Sequence, residues 1–100
     1  MNVLGELQRW YESNCDDDWE HQYGIKIDTL DNPGWSLFVD LAGTSLADRE
    51  FAEIEEMHSE REWIACKVEG RQFVGHGGPQ MLERLISEFL RWADAAQPNP

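Results

Sequence analysis

Basic residues are scarce in this chain. Eight Lys and Arg stand against twenty Asp and Glu in 100 residues, a formal net charge of -12 at pH 7. The shortage argues against nucleic acid and against an anionic membrane as partners, because both need clustered cations. Cysteine is scarce as well. Cys15 and Cys66 are too few for a disulfide framework, and no C-x-x-C pair occurs. No apolar run reaches the ~18–20 residues of a membrane span. The opening Met1-Asn2-Val3-Leu4-Gly5-Glu6 has neither a basic n-region nor an apolar h-region. The expected compartment is therefore the cytoplasm, with both thiols reduced. What the chain does have is ordinary globular content: 41% of its residues are hydrophobic, so the acidity is not that of a disordered tail. One domain spanning 1–100 is expected. The charge points either to a cationic partner or to solubility alone.

Periodicity supplies the architecture. Leu4, Leu7, Trp10 and Tyr11 recur at helical spacing, which predicts a helix over 3–13 closed by Asn14 in the left-handed conformation. The charged run from Cys15 to His21 reads as a loop. Residues 23–29 and 35–41 alternate as strands of a hairpin. In the intervening Asp31-Asn32-Pro33-Gly34 turn, Pro sets its own φ and Gly is free to take a positive one. Strands are expected at 51–58, 63–69 and 72–75. Gly77-Gly78-Pro79 then opens a last helix with Pro at its first position. Leu82, Leu85, Ile86, Phe89 and Ala93 form that helix's apolar stripe, and a frayed tail follows at 97–100. The fold class is α+β: a helix, an antiparallel meander of about five strands, and a helix packed on the sheet.

Candidate chemistry concentrates in the loop Cys15-Asp16-Asp17-Asp18-Trp19-Glu20-His21. Counted from Asp16, a calcium loop would need Gly at His21 and a bidentate Glu at Ile27, so that pattern fails. Cys15 and His21 lack a second ligand pair for zinc. Three aspartates beside Cys15 oppose thiolate formation, and Cys66 reads as a small core hydrophobe. The Gly75–Pro79 segment lacks a full phosphate-binding pattern and reads as a strand-to-helix connection. No catalytic residue, cofactor or metal is expected. Trp10, Trp35, Trp63 and Trp92 read as core. Trp19 either anchors the acidic loop to the body or offers an aromatic to a partner, with anchoring favoured.

The acids gather in two sets. One holds Glu12, Asp16, Asp17, Asp18, Glu20, Asp28 and Asp31, opposed by Lys26. The other holds Asp48, Glu50, Glu53, Glu55, Glu56, Glu60 and Glu62, opposed by Arg49 and Arg61. Small domains stay soluble with a net charge of about 2–8, so this field exceeds what solubility needs. Self-repulsion costs stability, and a cationic partner would offset it.

The residues Trp10-Tyr11, Cys15-Asp16, Asp18-Trp19-Glu20-His21, Tyr23-Gly24 and Asp31-Asn32-Pro33-Gly34-Trp35 together resemble the bacterial immunity protein 53 family. Trp63, the 75–79 loop and the last helix with Trp92 extend the likeness over most of the chain. Family members often carry Gly where this chain has Asp17, so the loop here is more acidic. The resemblance implies a polymorphic toxin system, in which a small cytoplasmic protein binds and neutralises a cognate toxin domain. It supplies no catalytic residues. The expected partner is a toxin protein with a basic surface, with a nuclease cleft as one example, and with no nucleic acid or membrane. The expected contacts are Asp16, Asp17, Asp18, Trp19, Glu20 and His21, with Glu53, Glu55 and Glu56 in support. Rival readings are a metal- or thiol-dependent enzyme built on the Cys15–His21 loop, or an acidic structural or regulatory module.

Overall fold

The computed structural model describes residues 2–95. The tail expected at 97–100 lies outside the described residues. The order is α1 (Val3–Asn14), α2 (Trp19–Gln22), β1 (Ile25–Leu30), β2 (Gly34–Asp40), β3 (Ile54–Met57), β4 (Trp63–Glu69), β5 (Gln72–Gly77) and α3 (Leu82–Ala95). The α+β class holds: an N-terminal helix, a five-stranded antiparallel sheet and a C-terminal helix packed on it. The strands do not follow one another across the sheet, however. Their order is β1-β2-β5-β4-β3, so the β3-β4-β5 meander enters backwards and β5 docks against β2.

Both long helices cover one sheet face. Leu37, Val39, Ile64, Cys66 and Phe73 project from that face, and Leu7, Leu85, Ile86 and Phe89 cover them. Leu41 and Leu46, from the connection after β2, complete this core at 0% and 1% exposure. The apolar stripe expected on the last helix is therefore the stripe that is buried.

Local chemistry explains where the boundaries differ from the sequence reading. Asn2 Oδ1 caps α1 by accepting from the Gly5 amide at 3.1 Å. The helix does not close on a left-handed Asn14. Instead Ser13 Oγ and Asn14 Nδ2 donate to the Trp10 carbonyl at 2.7 and 2.9 Å, and Cys15 is extended. Gly34 does not take a positive φ; it opens β2 against the Gly77 carbonyl, where there is no room for a Cβ, so close approach is the reason for glycine here. The third strand is shorter than expected: residues 51–53 do not pair, although Phe51 still packs on Phe73 and Trp92. The last strand runs on to Gly77, and α3 begins only at Leu82 rather than at Pro79. Leu85 of α3 lies over Gly75, whose missing Cβ would come within 2.9 Å of it.

Three indole N–H groups pin the connections to this frame. Trp19 donates to the Ala42 carbonyl at 2.8 Å, Trp35 to Pro79 at 3.0 Å and Trp92 to Glu50 at 2.8 Å. Tryptophan here does two jobs at once, filling volume and satisfying an irregular backbone carbonyl.

Candidate partner-binding site

The acidic run is more ordered than a plain loop. Its second half, Trp19–Gln22, forms one helical turn, which corrects the reading of 15–21 as wholly loop. Two of its carboxylates are spent on holding this shape. Asp16 Oδ1 accepts from the Asp18 and Trp19 amides at 3.0 and 2.9 Å. Glu20 reaches back, with Oε1 and Oε2 accepting from the Asp16 and Asp17 amides at 2.9 and 2.8 Å. This reciprocity satisfies amides that the start of a helix leaves unpaired. Backbone donors favour the ionised form, so both carboxyls are held below their ordinary values. For Asp16 the Trp19 amide is the main cause; for Glu20 it is its own amide.

Asp17 and Asp18 are left facing outward. Both are exposed, and Asp18 Oδ1 accepts from Gln22 Nε2 at 3.0 Å. His21 is also exposed. Trp19 is the opposite: it is 4% exposed and packs edge-on against Trp10 and Tyr11, with ring centroids 6.1 and 5.8 Å away. Its geometry is that of the anchor. The structure thus places four acids around a buried aromatic peg.

Asp17 occupies the left-handed region, with φ of 72°. That conformation costs an L-residue about 1–2 kcal/mol, and Gly is free of the cost. Asp17→Gly should therefore raise stability by about 0.5–1 kcal/mol, after allowance for glycine's greater freedom in the unfolded chain. Asp17→Val should lower it. Thermal denaturation of the pair decides the matter, and a lower melting temperature for Asp17→Gly would refute the account.

The second candidate set lies elsewhere. The acidic loop leads into β1 at one edge of the sheet, whereas Glu55 and Glu56 belong to β3 at the other. Glu53 and Glu55 are exposed. Glu56 is engaged: Arg84 Nη2 donates to it at 3.0 Å and His58 Nε2 lies 3.3 Å away. Arg84, then His58, hold its carboxyl below the ordinary value. The two sets therefore do not form one patch.

The buried thiol is not set up as a nucleophile. Burial pushes the Cys66 thiol up to about 12, with the Glu88 carboxylate adding to the effect. Cys15 Sγ donates to the Tyr11 carbonyl at 3.4 Å. Among the described residues, no group of three or more His, Cys, Asp or Glu is placed to hold a metal. No helix among them is long and apolar enough to cross a membrane.

One polar pair escaped the sequence reading. Ser36 Oγ and His76 Nδ1 are hydrogen-bonded at 2.8 Å on the sheet face away from the helices. The register puts Asp28, Ser36, His76, Ala65 and Glu55 in one cross-strand row there. Burial, and to a lesser degree Lys67, lower the His76 pKa, which favours the neutral imidazole. Alternation in β2 and β5 puts both residues on the outer face. Their pairing depends on a contact between distant strands that no local pattern encodes.

These observations define a small α+β domain that carries its acids on the turn before β1 and along the β3 edge. Residues 4–94 match the family model described as immunity protein 53, and the chain belongs to that family. An immunity role follows from that membership. No curated protein and no solved structure matches the chain.

Proposed function

We propose that this chain neutralises a cognate toxin domain in the cytoplasm by laying its acidic surface over a basic cleft, as a nuclease substrate cleft would be. The observation that carries this reading is the preorganised acidic turn. Trp19 anchors it, and Asp16 and Glu20 bond to its own amides, so the backbone that presents Asp17, Asp18 and His21 is ordered before binding and that part of the ordering cost is already met. Glu53 and Glu55 at the other edge, with Glu56 partly neutralised by Arg84, add to the long-range field. Trp19 contributes by holding the turn, not by touching the toxin. In this reading the chain binds rather than catalyses, needs no cofactor, and takes a protein rather than nucleic acid or membrane as its partner.

The test is the association rate of the purified chain with its cognate toxin domain. Electrostatic steering raises such rates by roughly 10–10³, and the screening length falls from about 30 Å at 0.01 M salt to about 8 Å at physiological strength. The rate constant should therefore fall roughly tenfold or more over that range. A rate constant indifferent to salt would remove steering by the acidic surface. Failure of the pair to copurify, or of the chain to rescue cells expressing the toxin, would remove the toxin itself.

A further inference from the structure

The two edges of the sheet are not alike. β3 has four residues and is flanked or occupied by Glu53, Glu55 and Glu56, the short charged edge with which proteins discourage strand addition. β1 has six residues, with β2 on one side and no strand on the other among the described residues. The Asp40 amide donates to the Gly24 carbonyl at 3.0 Å, which sets the phase of the ladder. In an antiparallel pair, residues bonded to the neighbour alternate with residues whose N–H and C=O point away. Gly24, Lys26 and Asp28 therefore bond toward β2, and Ile25, Ile27 and Thr29 direct their backbone groups outward. Thr29 agrees with this phase, because its amide is taken by the Asp28 carboxylate at 2.9 Å.

On the side facing the helices this edge presents apolar residues, whereas its two charges, Lys26 and Asp28, stand on the outer face and pair with each other at 4.0 Å. Ile27 is 41% exposed although its cross-strand partner Leu37 is fully buried. Beside it α1 and the start of β1 form a groove of about 340 Å³ lined by Leu7, Gln8, Tyr11, Gly24 and Ile25. Tyr11 and Tyr23 remain 37% and 38% exposed here. Tyrosines of this kind, half-buried with a polar tip, are the residues that dominate protein interfaces. The acidic turn adjoins them directly, since the Trp19 ring lies between Tyr11 and Tyr23 at centroid distances of 5.8 and 6.4 Å.

We propose that the toxin docks on this edge, and that the occupant is an extended basic segment of the toxin domain that adds to β1 as a sixth strand. Its backbone pairs with Ile25, Ile27 and the carbonyl of Thr29, and its apolar side chains cover Ile27, Tyr11 and Tyr23. Its cationic side chains reach Asp17 and Asp18 of the adjoining acidic turn. Strand addition of this type takes affinity from main-chain bonds and specificity from side-chain pockets. Charge decides between occupants: a second copy would bring another -12 against this one, whereas a basic segment cancels charge. This inference rests on the toxin-neutralising reading above.

The test uses the full chain with its cognate toxin domain. In the free chain the Ile25 and Ile27 amides should exchange with solvent quickly, and in the complex they should slow by about 100-fold or more. Ile27→Pro removes one outward donor and leaves the β2 ladder intact, a substitution that edge strands tolerate. It should weaken binding by about 30-fold or more, whereas Ile27→Thr, which keeps the donor, should stay within about threefold. Tyr11→Ala and Tyr23→Ala should each cost about tenfold or more in affinity. Should Ile27→Pro fail to fold, the exchange measurement on the unaltered chain still decides. If the unaltered chain binds the toxin but the Ile25 and Ile27 amides exchange as before, the docking edge is wrong and the toxin reading survives. If it does not bind the toxin, both fall. A free chain that sediments as a dimer, and becomes monomeric with Ile27→Pro, would put a second copy on this edge and overturn the proposal.

Discussion

Trp19→Ala should lower stability by about 3–5 kcal/mol, the range for truncating a buried large aromatic. For a chain of this size that corresponds to a fall in melting temperature of at least ~12 °C. Several losses add. The side chain is 4% exposed, so its removal opens a cavity among Trp10, Tyr11 and Tyr23. The Ala42 carbonyl loses its 2.8 Å donor, and the ring no longer covers Gly43, where a Cβ would stand 3.1 Å from Trp19 Cδ1. Trp19→Phe separates these terms, because it retains most of the volume and loses the hydrogen bond; it should cost about 1–2 kcal/mol. The comparison also assigns the residue's role. If Trp19→Ala left the melting temperature unchanged and only weakened toxin binding, the side chain would be a contact and not an anchor.

The distinction between anchor and contact marks how far the sequence could be read. Alternation of Ile64, Cys66 and Val68 placed β4 at 63–69, where the structure has it, because each residue's facing depends only on its neighbours in the chain. The stripe on α3 was legible for the same reason. Strand order was not, since periodicity tells which side faces the core and says nothing of which strand lies alongside. The insertion of β5 next to β2 brings Ser36 and His76 together and leaves β1 exposed at an edge. Within the acidic turn the residue types were evident but their division of labour was not. Asp16 and Glu20 look like surface charges in one dimension, yet their oxygens are occupied by four backbone amides. Their separation by four positions, around a Trp about to be buried, was the available hint of a local cap. Glu56 likewise counts as field in a charge tally, whereas in the fold it is tied to a helix distant in sequence.

That tie is the second place where one substitution should have a large effect. Arg84→Ala should destabilise the chain by about 2–4 kcal/mol, chiefly through Glu88. Glu88 is 7% exposed, and Arg84 Nε donates to it at 2.9 Å; its other cationic partner, Arg91, is 3.4 Å away and largely in solvent. Without Arg84 a nearly buried carboxylate would be left with only a screened partner. Replacing both members, as in Arg84→Leu with Glu88→Leu, removes the stranded charge and should recover most of the loss. A double variant as unstable as Arg84→Ala would show that the loss comes from Arg84's packing or its bond to Glu56 instead. The pH dependence of Glu56→Gln, which leaves the Arg84–Glu88 pair in place, isolates that second bond. Arg84, and after it His58, lower the Glu56 pKa, so this contribution is fully present above the ordinary carboxylate value of 4.5 and is lost as pH falls through the lower folded value. The stability gap between the parent and Glu56→Gln should accordingly be widest at neutral pH and narrow as pH falls below about 4.5, as denaturant titrations at pH 7 and pH 3 would show. A gap that widened in acid would mean that the ion pair does not stabilise the β3 edge.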